Sequence, residues 1–379
     1  MTAARYRARV RISGVLLLCL GTVVAAFVTH AQDPPKYQVD PSWPKQLPKN
    51  WIMGQVGGMA VDHHDHIWVL QRPRSLTPDE LGAAQTPPRS ECCFAAPAVL
   101  EFDGLGNLLK SWGGPGYVPD WPTSEHGIWV DAHDNVWIGG SGAEDRQVLK
   151  FTNDGKLLLE IGHPSTAPEN NQDVSILGQP AGIEVDEAAH EVYIADGYLN
   201  KRVVVFDADT GAFKRGWGAY GIPLSQIDNA PPAPYDSAAA IDKQFRNPVH
   251  CAHISSDGLI YVCDRSNDRI LVFTKQGKFV REFFVHKSTL GIGSVWNLTF
   301  SHDEQQKYLL VADGEDNVIW IVQRSDGAVV SSFGHNGRNA GQFHWVHQSA
   351  MDSQGNYYTG EVDTAKRVQK FTLISGAGK

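Results

Sequence analysis

The sequence predicts an all-β fold, a six-bladed β-propeller whose ring is closed by an N-terminal strand. Three observations carry this expectation. A four-strand unit recurs six times along the chain. Gly (37) and Trp (11) are abundant for 379 residues, which suits short strands joined by tight turns. The last repeat lacks its outer strand, and "KYQVD" (36–40) near the start can supply it.

In chain order, residues 1–31 read as a secretory signal. Arg5, Arg7, Arg9 and Arg11 form a basic start, Val15 to Val28 is an apolar run, and "VTHAQ" offers cleavage after Ala31. The alternative is an uncleaved inner-membrane anchor. Residues 32–379 are then one propeller domain, periplasmic or secreted and monomeric. Losing four arginines takes the formal charge from −9 to −13, which argues against nucleic acid or an anionic membrane surface as partner. Export permits disulfides among Cys92, Cys93, Cys251 and Cys263. Ordinary disulfide geometry argues against Cys92 pairing with its neighbour Cys93, and the connectivity stays open.

The second strands of the repeats are "IWVLQR" (67–72), "VWIGGS" (136–141), "VYIADGY" (192–198), "IYVCDR" (260–265), "LLVADGE" (309–315) and "YYTGEV" (357–362). Third strands such as "VLEFD" (99–103) and "VVVFD" (203–207) follow each of them. A fourth strand, often ending in an aromatic residue and Gly, follows five times. Two insertions interrupt the pattern, at 73–97 within repeat 1 and at 219–244 between repeats 3 and 4. Such long loops on a compact scaffold are usually functional covers or disordered excursions.

Aligning the first strands at Val56, Glu125, Pro180, Val249, Val295 and Val346 puts Gly57, His126, Ala181, His250, Trp296 and His347 in the next slot. Histidine fills it in repeats 2, 4 and 6. Blades two apart stand a third of a turn from each other, so His126, His250 and His347 should converge on the channel axis. Three imidazoles leave room for an exchangeable fourth ligand, the arrangement of catalytic rather than structural zinc. His133 falls in the turn on the opposite face. So does "DHHDH" (62–66), which reads as a solvated turn. His253, three residues beyond His250, should point elsewhere. The second strands end on the same face as the three histidines and deliver Arg72, Ser141, Tyr198, Arg265, Glu315 and Val362. Two arginines and a tyrosine beside a metal suit a substrate bearing a carboxylate and a hydroxyl, with the tyrosine as base.

With these residues aligned, the chain resembles NHL-type propellers and, more closely, the peptidyl-α-hydroxyglycine α-amidating lyases. "EHGI", "VHCA" and "VHQS" match that family's zinc-ligand segments. "DGYLNKR" is similar to its tyrosine loop, and "VLQRP" and "CDRSNDRI" to its arginine segments. The resemblance spans about residues 51–373. It implies a six-bladed propeller with Zn²⁺ held by His126, His250 and His347, Tyr198 as base, and Arg72 and Arg265 orienting a carboxylate. Leu199 stands where the family has a cysteine beside the tyrosine, so the family's disulfides do not transfer. Gln348 stands where the family has an acid that helps hold a structural Ca²⁺, which weakens the expectation of calcium.

The expected activity is therefore that of a zinc-dependent carbon–nitrogen lyase. It would cleave a peptidyl-α-hydroxyglycine or similar carbinolamide, peptidic or small, to an amide and glyoxylate. The alternatives are a metal-dependent lactonase using the same face and a non-catalytic periplasmic binding or scaffold propeller.

Overall fold

In the computed structural model, which describes residues 1–2 and 33–378, six four-stranded antiparallel sheets follow one another along the chain. The signal or anchor segment expected over 1–31 lies outside the described residues but for its first two. No helix among the described residues is long and apolar enough to cross a membrane.

The first strands are Gln55–Val61, Glu125–Val130, Pro180–Asp186, Val249–Ile254, Asn297–Phe300 and Val346–Met351. Each touches the first strand of the next blade, and blade 6 touches blade 1, so they form a closed inner ring. Blade 6 takes its outermost strand from Lys36–Asp40, which pairs with Val368–Ser375 and sets Val39 opposite Phe371. The two ends of the propeller chain thus close the ring, as the sequence predicts.

Alternation along each strand sends apolar side chains to both faces of a blade, and neighbouring blades bury them against each other. Trp68 and Leu70 of blade 1 pack with Ile138, Leu149 and Phe151 of blade 2 in one such seam, and all five are fully buried.

A recurring aspartate sets the turn between first and second strands. The Asp62 carboxylate accepts the backbone N–H groups of His64 and His66 through one oxygen and the Trp68 indole N–H through the other. Asp131 does the same for His133, Asn135 and Trp137. Asp352 repeats it with Gln354, Asn356 and the Tyr358 hydroxyl. Each such bond contributes about 1 kcal/mol and fixes the turn's direction.

At the other end of the blades, buried ion pairs clamp the loops that follow the second strands. Arg202 Nε lies 2.7 Å from Asp196, with both side chains fully buried. Arg269 holds Asp264 at the same distance. Tyr198 and Arg265 sit on these two clamped loops.

The first insertion packs against the propeller at two places. Residues 73–97 pair Phe94–Ala95 in parallel with Trp51–Ile52. They are also tied to blade 6 by Lys366, which donates to the Ser75 carbonyl and pairs with Glu80.

The structure corrects one expectation about the cysteines. Cys92 and Cys93 form a disulfide with each other, across a cis peptide that brings their Cα atoms to 3.1 Å. The contrary expectation rested on ordinary disulfide geometry, which does not suit adjacent residues. Cys251 and Cys263 form the second disulfide, between directly paired residues of the first two strands of blade 4.

Candidate metal centre

Each innermost strand of blades 1, 2, 3, 4 and 6 shifts register by one residue at the slot identified from the sequence. Such a bulge re-aims the side chain beside it. In blade 2 the extra residue is Gly127, whose φ of +71° suits glycine. Blade 5 differs, since its strand begins only after Trp296.

The three histidines come together. The ring centroids of His126, His250 and His347 are 4.7 to 5.0 Å apart, and all three side chains are buried. Each ring is oriented from the neighbouring odd-numbered blade. His126 Nδ1 donates to the Ala181 carbonyl at 2.7 Å, His347 Nδ1 to that of Val56 at 3.0 Å, and His250 Nδ1 to that of Trp296. Even blades supply imidazoles and odd blades supply carbonyls.

That division decides the chemistry of the inner atoms. With Nδ1 carrying the proton, every Nε2 presents a lone pair to the axis. Burial holds all three rings well below the usual histidine range, helped by the charges of Arg72 and Arg265, so they are neutral at pH 7. His126 Nε2 and His347 Nε2 face each other at 3.1 Å. Tyr198 Oη lies 3.0 Å from both His126 Nε2 and His250 Nε2. Three acceptors thus share at most one hydroxyl proton. A cation bound by three neutral imidazoles resolves that imbalance, and donation of Nδ1–H to a fixed carbonyl is the usual support for a metal-ligating histidine. The residues fit a metal.

Arg265 and Arg72 flank this cluster. Arg265 is buried, its guanidinium lies 4.6 Å from the Trp296 ring centroid, and its Nη1 is 3.5 Å from Tyr198 Oη. Its Nε donates to the Ile292 carbonyl at 3.1 Å. Arg72, half-buried, donates from Nε to the Glu125 carbonyl at 2.8 Å and from Nη1 to Gln55 at 3.0 Å. Neither guanidinium forms an ion pair with a carboxylate among the described residues. Burial pulls both down from the ordinary arginine value, the mark of cations lacking a close counter-charge.

Other candidates separate from this set. His133 is exposed on the opposite face. Among the described residues no contact joins Ser141, Glu315 or Val362 to the three imidazoles. His253 lies deeper in the channel, where hydrogen bonds to Glu184 and Asn297 raise it above the ordinary histidine value despite burial. Its Nδ1 donates to Glu184 at 2.7 Å and its Nε2 to Asn297 Oδ1 at 2.8 Å, an oxygen that also accepts the Leu298 N–H. The Asn297 amide donates in turn to Gln348 Oε1 at 2.6 Å. In this layer Gln348 is a hydrogen-bond acceptor for an amide.

Sequence reasoning passed over Trp296 and Gln55. Trp296 was visible as the one large residue in an odd-numbered slot; Gln55 carried no signal.

No family model matches the chain. Peptidylglycine alpha-amidating monooxygenase of Rattus norvegicus is 26% identical over 346 residues, covering 85% of this chain. NHL repeat-containing protein 3 of Mus musculus is 27% identical over 256 residues, covering 65% of this chain and 59% of its own length. A probable peptidyl-alpha-hydroxyglycine alpha-amidating lyase of Caenorhabditis elegans is 23% identical over 225 residues, with 59% and 56% covered. This chain is similar in sequence to the amidating enzymes and to NHL-repeat propellers. It spans 31% of the length of the rat monooxygenase. A streptogramin B lyase structure superposes with a TM-score of 0.52 at 13% identity, covering 89% of this chain and 98% of that one, a likeness of fold alone.

Proposed function

We propose that the protein is a zinc-dependent lyase that cleaves an α-hydroxyglycine amide, or a similar carbinolamide, to an amide and glyoxylate. One observation carries the reading furthest: two guanidiniums without a counter-charge flank a tyrosine hydroxyl at a cluster of three neutral imidazoles. That arrangement suits a substrate with a carboxylate at one end and an ionisable hydroxyl at its centre. The sequence similarity to amidating enzymes supports the same choice.

His126, His250 and His347 would hold the ion, and Zn²⁺ bound by three imidazoles makes a coordinated hydroxyl more acidic. Arg72 and Arg265 fix the carboxylate, which orients the carbinol carbon toward Tyr198. Tyr198 would act from its phenolate form, its own proton having left when the cation takes the place of that proton among the three imidazoles, and would take the substrate's hydroxyl proton at Oη. The oxygen's electron pair becomes the carbonyl of glyoxylate, and the C–N bond breaks. The proton then passes from Oη to the departing nitrogen, so the products are a primary amide and glyoxylate with no water consumed. A lactonase would need an activated water instead, and it would not call for two arginines.

The test is glyoxylate release from α-hydroxyhippurate by the purified protein and by Arg265→Ala. The reading expects turnover by the wild type and its loss in the variant. A wild-type protein holding zinc but releasing no glyoxylate would overturn the lyase assignment.

A further inference from the structure

On the opposite face, the turns of neighbouring blades are stitched together by hydrogen bonds. Ser353 of blade 6 donates its N–H to Asp65 of blade 1 at 2.8 Å. Ala132 of blade 2 donates to Glu187 of blade 3, and Ser256 of blade 4 to Gln306 of blade 5, both at 2.8 Å. Between the turns of blades 1 and 2 the arrangement differs. His63 Nδ1 and His64 Nε2 each stand 3.7 Å from the same atom, Asp134 Oδ1. That is too long for a hydrogen bond. The three donor atoms nonetheless all lie within 4.8 Å of one another.

Two further observations point to a missing cation. Asp134 Oδ1 is closed off from solvent and has no hydrogen-bond partner. Glu101, 3% exposed, lines the recess next to His64 and Asp134; its Oε1 meets His66 at 2.8 Å, while its Oε2 has no hydrogen-bond partner and stands 4.0 Å from Lys110. Enclosed carboxylate oxygens without donors are costly unless a cation meets them. The supporting backbone is fixed. Asp62 and Asp131 pin the two turns, and the His63 and His64 rings lie side by side with centroids 3.9 Å apart. Successive residues of a strand would point apart; here the turn aims both rings at blade 2.

We propose that His63, His64 and Asp134 form a second metal site, for a borderline divalent ion such as Zn²⁺, that bridges the turns of blades 1 and 2. Two imidazoles and a carboxylate suit such an ion better than Ca²⁺ or Mg²⁺. The remaining coordination positions face solvent, so this ion exchanges more readily than one in the buried centre. Its effect is to tie the first turn of blade 1 to that of blade 2, beside the Lys110–Asn153 hydrogen bond that already links these blades, and it adds to stability by mass action.

The experiment titrates metal-stripped protein with Zn²⁺ against a chromophoric chelator and follows the thermal midpoint. The double variant His63→Ala/His64→Ala and the single variant Asp134→Asn are run beside the wild type. The wild type is expected to take up two zinc ions per chain and each variant one, with a smaller zinc-induced rise in midpoint in both variants. Equal stoichiometry in wild type and variants, or loss of the difference against a weak competitor such as free histidine, would mean an adventitious ion only and overturn the proposal. If the central cluster holds no zinc, the wild type takes up one and the variants none. The two assignments therefore fail separately.

Discussion

Trp296 supports Arg265 directly: the guanidinium lies over the indole with 4.6 Å between its carbon and the ring centroid. The same residue's backbone carbonyl accepts Nδ1–H from His250. One slot thus orients the His250 imidazole through its main chain and the Arg265 guanidinium through its side chain. The indole N–H is itself anchored to the Gly293 carbonyl at 2.7 Å.

Because the two roles use different atoms, they can be separated. Trp296→Leu keeps the carbonyl and removes the platform. It should retain zinc while KM rises, by a factor of about 5 to 30 for the roughly 1 to 2 kcal/mol of a desolvated cation–π contact. Steady-state kinetics with α-hydroxyhippurate, beside a zinc assay, checks this. Loss of zinc in Trp296→Leu would show that the ring, not the carbonyl, supports His250.

Tyr198→Phe removes the proton acceptor and leaves the three imidazoles in place. The expected result is a fall in kcat of roughly 10² to 10⁴, the usual weight of a general base, with zinc content unchanged. Single-turnover measurement of glyoxylate release gives the chemical step. A variant within a few-fold of wild type would remove Tyr198 from the mechanism.

The Asp196–Arg202 pair is fully buried beneath the Tyr198 loop, and Arg202 also donates to the carbonyls of Asn171, Asp173 and Ile176. Arg202→Ala strands the Asp196 charge and should cost about 3 to 5 kcal/mol by denaturant unfolding. A loss below about 1 kcal/mol would contradict a clamping role.

His253 gives a pH signature. Its hydrogen bonds to Glu184 and Asn297 raise its folded pKa above the ordinary value of 6.5 despite burial. A raised pKa stabilises the fold fully below the unfolded value, and that stability is lost as pH rises through the folded value. Wild type should therefore exceed His253→Gln by about 2 kcal/mol below pH 6.5, with the gap narrowing at alkaline pH. Urea unfolding across that range tests it; a gap that widens with pH would mean His253 is neutral.

The architecture was legible because a propeller writes its blades as repeats, and the histidine slot was legible because alternate repeats must face one axis. The unread features depend on three-dimensional closeness that spacing does not encode. "DHHDH" reads as a solvated turn, and His63 and His64 are indeed exposed; that Asp134 of the next blade stands 3.7 Å from both rings is a closeness no spacing encodes. The raised pKa of His253 follows from partners on blades 3 and 5. The Cys92–Cys93 bond follows from a local backbone choice that residue type does not announce. Tyr198 and Arg265 could be proposed beside the histidines because both stand at the ends of second strands, on the face where the innermost strands begin, which the repeat alignment gives.

The central claim is that His126, His250 and His347 hold one zinc ion. Elemental analysis of purified wild type and His250→Ala, after dialysis against a weak chelator that strips solvent-facing sites, tests it most directly. The account predicts one zinc per chain in the wild type, none in the variant, and no glyoxylate release from the variant. Wild-type protein without stoichiometric metal, or a variant that keeps its zinc, would contradict it.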